Sequence, residues 1–201
     1  MQQLLTTEQI VPFLEDIFSR YGDSEYLGEP VTMSAHMLQC AQFAEENNDS
    51  KEVVVAALLH DIGHFTSEVG SFSMNDTADR VHEEAGAQLL QHLFPALVVD
   101  CIRYHVPAKR YLCKVEADYF AGLSEASVHS LELQGGPMSE AEVADFQNNP
   151  NLDAIVKVRR YDDWSKVPDK LTPEFSHYAP FVKEVVAVSY THLTLPTILL
   201  V

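Results

Sequence analysis

The feature that most constrains this chain is an apolar run, residues 53–59, that ends directly in His60 and Asp61, with His64 four residues after the first histidine. A run so apolar is buried in a folded protein, and it carries the His-Asp pair into the interior with it. Burying an ionised carboxylate beside apolar side chains costs several kcal/mol or more unless the group is paired or binds a metal. A metal is the most economical explanation, and it predicts an active site.

The net charge of the chain argues against two classes of partner. Lys and Arg number 13 against 30 Asp and Glu, which gives a net charge of −17 over 201 residues. Nucleic acids and anionic membranes both attract basic proteins, so we expect neither as a partner. Residues 1–10 lack a signal-peptide pattern, and no apolar run is long enough to span a membrane, which predicts a cytoplasmic protein. We expect a small-molecule ligand, and the sequence leaves the oligomeric state open.

The spacing of apolar residues predicts an all-α fold. Pro107 is expected to end the helix that precedes it, and Ser139 with Glu142 forms a capping-box pattern. Residues 65–80 are polar and rich in turn formers, which predicts a loop or lid. The expected helices cover residues 8–21 (capped by Thr7), 32–46, 51–64, 82–94, 96–105, 140–147 and 152–164.

One domain is expected over residues 1–188. Residues 189–201 differ in character, because they are β-branched, uncharged and too apolar for a solvated tail. They resemble an out-of-frame translation of cloning or sequencing adaptor DNA, so we predict a non-native or disordered tail there. The alternative is a genuine terminal strand.

Several titratable residues lie on the predicted helices or at their ends. Imidazole and carboxylate ligands without thiolate favour iron, manganese or a similar divalent metal, and six of them suffice for two metals bridged by one carboxylate. Each histidine taken alone is an ordinary core or capping residue, and the helical period slightly favours Asp163 over Asp162 as the acid. The candidates are His36, His60, Asp61, His64, His82, His105 and either Asp162 or Asp163.

The ordered set of these residues resembles the HD-domain superfamily, an all-α helical bundle whose members are mostly metal-dependent phosphohydrolases. From about residue 21 to residue 186 the chain is most similar to a small branch, the mixed-valent diiron oxygenases of the 2-amino-1-hydroxyethylphosphonate dioxygenase type; the resemblance to myo-inositol oxygenase is more distant. The motifs are the loop of residues 24–29, the segment 58–64, Lys109 four residues after His105, Ser127, and Arg159 three residues before Asp162.

The resemblance implies two iron ions, an Fe(II)/Fe(III) pair, with O2 as co-substrate. One iron would take His36, His60, Asp61 and Asp162, and the other would take His82, His105 and the bridging Asp61. The resemblance thus favours Asp162 over the weak periodic preference for Asp163.

The resemblance also implies roles around the substrate. Lys109, Ser127 and Arg159 would bind the phosphonate, since Lys and Arg provide charge-assisted hydrogen bonds to such a group. His64 would touch the substrate oxygens, and Tyr26 would occupy an iron position until substrate arrives. Glu29 would meet the cationic nitrogen of the substrate.

The implied reaction is oxidative carbon–phosphorus cleavage of (R)-2-amino-1-hydroxyethylphosphonate to glycine and phosphate. One alternative is the same chemistry on the 2-trimethylammonio analogue, which would give glycine betaine. A second alternative is hydrolysis of a phosphate ester by metal-activated water, and a third is a non-catalytic ligand-binding module.

Overall fold

The computed structural model describes residues 5–26, 28–65 and 81–194, with side chains up to residue 186. These residues contain α-helices and no β-strand, which confirms the all-α prediction. The helices are α1 Ile10–Tyr21, α2 Met33–Glu46, α3 Lys51–Leu59, α4 His82–Leu90, α5 Ala96–Val115, α6 Glu125–Leu133, α7 Glu140–Phe146, α8 Leu152–Trp164 and α9 Phe175–Thr194.

Helix α3 is the centre of the bundle. It is apolar on every side after its first turn, and all of its residues from Val53 onward are buried. A helix of this kind needs neighbours on all sides, and it packs against α2, α5, α8 and α9. The Ser50 hydroxyl caps its first turn by accepting a hydrogen bond from the Val53 amide at 3.4 Å.

The predicted helix over residues 51–64 is wrong at its end. Helix α3 stops at Leu59, His60 is its C-cap, and a 3-10 turn follows over Ile62–Phe65. Gly63 lies in this turn against the start of α4, where a Cβ atom would come within 1.8 Å of the His82 carbonyl oxygen. The turn therefore brings the His-Asp pair and His82 together.

The prediction that Pro107 ends its helix is also wrong, because α5 continues through it to Val115. An interior proline removes one backbone hydrogen bond and costs about 3 kcal/mol. Packing beyond the proline offsets this cost, since Ala108 and Leu112 are buried and burying one large apolar side chain contributes about 1.5–3 kcal/mol. The continuous helix places Lys109 one turn after His105 on the same face.

The remaining boundaries differ in smaller ways. Helix α1 begins at Ile10 after Gln9, without the predicted Thr7 cap, and α4 ends at Leu90 rather than at residue 94. The Ser139–Glu142 capping box and the bounds of α8 are confirmed.

Helix α9 was not predicted. It packs against α1 and α3 and continues through residues 189–194, so the backbone described there is helical. Residues 195–201, and residues 66–80 of the predicted lid, lie outside the described residues; the non-native tail and the lid stay predictions. Within the described part of the chain, no helix combines the length and the apolar character needed to cross a membrane.

Candidate metal centre

Four histidines surround the buried carboxylate of Asp61. The Nε2 atoms of His60 and His36 lie 3.3 and 3.5 Å from Asp61 Oδ2. On the other side of the carboxylate, Nε2 of His82 and His105 lie 3.2 and 3.4 Å from Oδ1. The result is two triads, His36–His60–Asp61 and Asp61–His82–His105, each compact enough to hold a metal ion, with Asp61 shared between them.

The histidine rings are oriented toward a cation. Within each triad the two Nε2 atoms face each other at 3.1 Å. A neutral imidazole that donates Nδ1–H presents a lone pair at Nε2, so these atoms are acceptors aimed at one another and at a carboxylate. Three of the four histidines make such an Nδ1 bond to a backbone carbonyl at 2.8 Å: His36 to Ser165, His60 to Ala57 and His105 to Ile102.

The protonation of His105 and Asp61 agrees with this orientation. Burial lowers the pKa of His105 to about 4, so its ring is neutral at pH 7. Burial raises the pKa of Asp61, but the charge of His60 and hydrogen bonds from the other rings outweigh that effect, and the pKa lies well below its usual value. Burial lowers the pKa of His60, but the charge of Asp61 outweighs that effect and holds it well above its usual value, so a metal ion would take the place of the His60 proton. Imidazoles and carboxylates without thiolate are ligands that suit iron or manganese. The residues present therefore fit a divalent metal pair.

Helix α8 contributes one further acid to this cluster, Asp162. Its Oδ1 atom lies 3.5 Å from His36 Nε2, and the residue is buried. Asp163, which the helical period favoured, points elsewhere and contacts Arg159 and Tyr119. The side-chain orientation at the end of α8 therefore places Asp162, rather than Asp163, beside the triads.

A cavity opens beside the two triads, and three of its lining residues are cationic. Lys109, Arg159 and Lys166 all line it, in a chain whose net charge is strongly negative. Lys109 donates to Ser130 Oγ at 2.6 Å and to the Ser127 carbonyl at 3.4 Å. Burial, followed by the charge of Arg159, lowers the pKa of Lys109 to about 7.

Arg159 is held by three partners. One terminal nitrogen donates to Asp162 Oδ2 at 2.7 Å, the other donates to Asp163, and Nε donates to the Tyr119 hydroxyl at 3.1 Å. A guanidinium has five N–H groups, so two of them remain for an anionic ligand. Arg159 thus pairs with Asp163 within α8 and also lines the cavity.

The loop before α2 brings two further residues to the cavity. The Tyr26 ring stacks on His36 with centroids 3.8 Å apart, and burial raises its pKa well above the usual value. Glu29 Oε1 accepts a hydrogen bond from Ser124 Oγ at 2.5 Å and lies 3.1 Å from Lys166 Nζ. The third residue assigned to substrate, His64, stacks on His82 with centroids 4.0 Å apart.

Ser127 completes the predicted set, with its hydroxyl 2.8 Å from Lys166 Nζ. Lys166 and Ser130 line the same cavity, but sequence reasoning missed both. Lys166 follows α8 in a segment without regular structure, so no helical spacing relates it to the other residues. Ser130 lies three residues after Ser127 on α6, a spacing that would have pointed to it.

Comparisons with known proteins agree with this geometry. The HD domain family model matches residues 33–139. A [1-hydroxy-2-(trimethylamino)ethyl]phosphonate dioxygenase (glycine-betaine-forming) of Leisingera caerulea is 58% identical over 182 residues, which cover 90% of this chain and 93% of that protein. A hydroxymethylphosphonate dioxygenase of Gimesia maris is 44% identical over 174 residues, 86% of each chain. The chain belongs to the HD-domain phosphonate oxygenase family.

Proposed function

We propose that this enzyme uses O2 to cleave the carbon–phosphorus bond of a 1-hydroxyphosphonate that carries a cationic nitrogen on C2. The proposal is supported above all by two buried cations, Lys109 and Arg159, which line the same cavity as Asp61, His82 and His105 of the triads. A phosphonate bound by these cations would present C1 toward the triads. A phosphohydrolase could use the same cations, but the Tyr26–Glu29 loop in this cavity and the two relatives named as phosphonate dioxygenases favour the oxygenase.

The reaction balances without another reductant. One oxygen atom of O2 joins C1, which already bears the hydroxyl, and the other oxygen joins phosphorus. The C1–H and carbon–phosphorus bonds break, and the hydrogen from C1 leaves as a proton on the product oxygens or to solvent. The products are a carboxylate and phosphate, and C1 is the atom oxidised.

We propose that two iron ions occupy the triads. His36, His60, Asp61 and Asp162 would hold one ion, and His82, His105 and Asp61 would hold the other. When bound, such a pair supplies one-electron redox chemistry with O2, whereas the protein supplies binding, orientation and exclusion of water.

Lys109 and Arg159 are the proposed phosphonate ligands, with Ser127 as a hydroxyl donor. Both cations are buried, so their charge-assisted hydrogen bonds are stronger than bonds in open solvent. Because Asp162 and Asp163 hold two sides of the Arg159 guanidinium, its remaining N–H groups are already oriented before the ligand arrives.

His64, Tyr26 and Glu29 are proposed to act on the substrate itself. Tyr26, whose ring stacks on His36, would occupy an iron position until the substrate displaces it. His64 would contact the substrate oxygens, and Glu29 would meet the C2 nitrogen.

The relative from Leisingera caerulea supports the trimethylammonio compound as substrate, with glycine betaine as product. The polar surroundings of Glu29 favour the primary amine, which would yield glycine. Ser124 and Ser127 lie beside this carboxylate, and Tyr26 is the only aromatic ring other than histidine among the described residues lining the cavity. An ammonium group donates hydrogen bonds, whereas a quaternary nitrogen favours an aromatic cage.

The test is O2 uptake by iron-loaded enzyme with each amine, with identification of the products. We expect one O2 consumed for each phosphate released, and glycine or glycine betaine as the carboxylate. Lys109→Met should raise the KM for the phosphonate, whereas Lys114→Met, on the exposed end of α5, should not. Phosphate release from nucleotides without O2 would instead identify a phosphohydrolase.

A further inference from the structure

Lys166 lines the cavity. Its side chain contacts the loop that carries Glu29 and the start of α6. Its Nζ atom lies 3.1 Å from Glu29 Oε1 and donates to Ser127 Oγ at 2.8 Å and Ser124 Oγ at 3.2 Å. The side chains of Lys166 and Glu29 are 13% and 10% exposed. The pair is therefore largely removed from solvent. An unpaired charge in such a buried position is costly.

The backbone on both sides of Lys166 is anchored to α2. The carbonyl of Ser165 accepts a hydrogen bond from His36 Nδ1 at 2.8 Å. The Gln39 side chain bonds both the amide and the carbonyl of Val167, at 3.1 and 2.9 Å. Lys166 consequently projects into the cavity from a short segment that cannot shift without disturbing α2.

We propose that Lys166 is a specificity-determining residue, acting as a built-in counter-ion for Glu29. This inference rests on the proposed function, in which Glu29 meets the C2 nitrogen of the substrate. A cationic substrate competes with Lys166 for the carboxylate, so Lys166 weakens the preference for a positive charge at this position. A 1-hydroxyphosphonate without nitrogen leaves the Glu29–Lys166 pair intact, so the pair lets the site accept such a compound.

Removing either partner moves selectivity in opposite directions. Lys166→Gln leaves Glu29 without a cation unless the substrate brings one, which favours the cationic substrate. Glu29→Gln leaves Lys166 unpaired and facing the C2 position, where it repels a cationic substrate and tolerates a neutral one. A purely structural role for the pair would reduce activity on both substrates together.

The experiment measures kcat/KM of the iron-loaded enzyme for a 2-ammonio or 2-trimethylammonio substrate and for hydroxymethylphosphonate, and takes the ratio of the two. The ratio is that of the cationic over the neutral substrate. We expect Lys166→Gln to raise it by roughly tenfold or more and Glu29→Gln to lower it by a similar factor. The reason is that truncating one partner of a buried charge pair leaves the other unpaired. Lys166→Arg should keep the ratio near that of the wild type.

Three controls make the result specific. Lys114→Gln removes the same charge from an exposed site and should leave the ratio unchanged, which accounts for the change in net charge. In the double variant of Lys166 and Glu29 neither charge remains, so the two opposite shifts should cancel and the ratio should return to near that of the wild type. Iron content and thermal unfolding show whether each variant retains its metal centre and its fold.

Equal losses on both substrates, or ratios that move in the same direction in the two single variants, would overturn the assignment of Lys166. Failure of the wild-type enzyme to consume O2 with any of these phosphonates would instead overturn the proposed function. The two failures are distinct, because the second is seen before any variant is made.

Discussion

Gly63 is the point where the metal centre is most sensitive to one added carbon atom. A Cβ at this position would lie 1.8 Å from the His82 carbonyl oxygen and 2.8 Å from the Gly86 amide nitrogen. Real Cβ atoms do not approach closer than 3.0 Å, so Gly63→Ala must separate the turn from α4 by at least 1.2 Å, the difference between 3.0 and 1.8 Å. The contacting atoms are backbone, so no side-chain rotation relieves the clash.

A shift of this size takes His82 out of its triad. Its Nε2 atom lies 3.2 Å from Asp61 Oδ1 and 3.1 Å from His105 Nε2, whereas metal–ligand distances tolerate deviations of only about 0.2 Å. The other triad does not depend on α4. We therefore expect metal loading to fall from two ions per chain to about one, with oxygenase activity reduced about 100-fold or more by the misplacement.

Metal analysis of purified protein reconstituted with iron, together with O2 uptake, measures both effects. Overpacking should also lower the free energy of unfolding by about 1–3 kcal/mol, which denaturant titration of the metal-free protein reports. Gly122→Ala is the matched control, because nothing lies within 4 Å of the added carbon there. Full loading with two ions in Gly63→Ala, or loss of both ions in a folded variant, would refute the reasoning.

Three further predictions concern other parts of the molecule. Asp162→Asn should lower metal content, whereas Asp163→Asn should keep the metal and raise the KM for phosphonate about tenfold, because Asp163 contacts Arg159 and not the triads; the reverse pattern would exchange their roles. The KM for phosphonate should rise by up to tenfold per unit as the pH increases above about 7, because the charge of Lys109 is present below its folded pKa and lost above it; a flat profile in the wild type, or an unchanged slope in Lys109→Arg, would contradict this cause. Ser139→Ala removes a capping box on α7 and should lower the free energy of unfolding by about 1 kcal/mol in urea titration, with kcat/KM unchanged; a loss of activity would show that α7 supports the site.

Two of the errors in the helix predictions have the same physical origin. Local signals placed a helix through His64 and a break at Pro107, and the structure has the opposite at both positions. At the first, the close packing of Gly63 against α4 decides that the chain turns. At the second, burial beyond the proline outweighs the lost hydrogen bond. Local propensity is a weak guide wherever tertiary packing contributes more free energy.

The choice between Asp162 and Asp163 shows a different limit. Both acids lie close to the buried face of α8. The helical period slightly favoured Asp163, whereas the structure places Asp162 beside the cluster. Side-chain direction and the partners already present on each side separate them: Asp162 turns toward His36, and Asp163 turns toward Tyr119. Neither partner is visible from the period of α8, because both come from other elements of the fold.

The sequence by itself determined that this protein is an α-helical bundle with a buried His-Asp pair, since an apolar run and its adjoining ligands must share one interior. It also supplied the order of histidines that resembles the HD-domain superfamily. Only the tertiary structure decided which acid joins the cluster, and that Lys166 faces Glu29 across the cavity. Such contacts join residues far apart in the chain, and their positions depend on how helices pack, which no local pattern encodes.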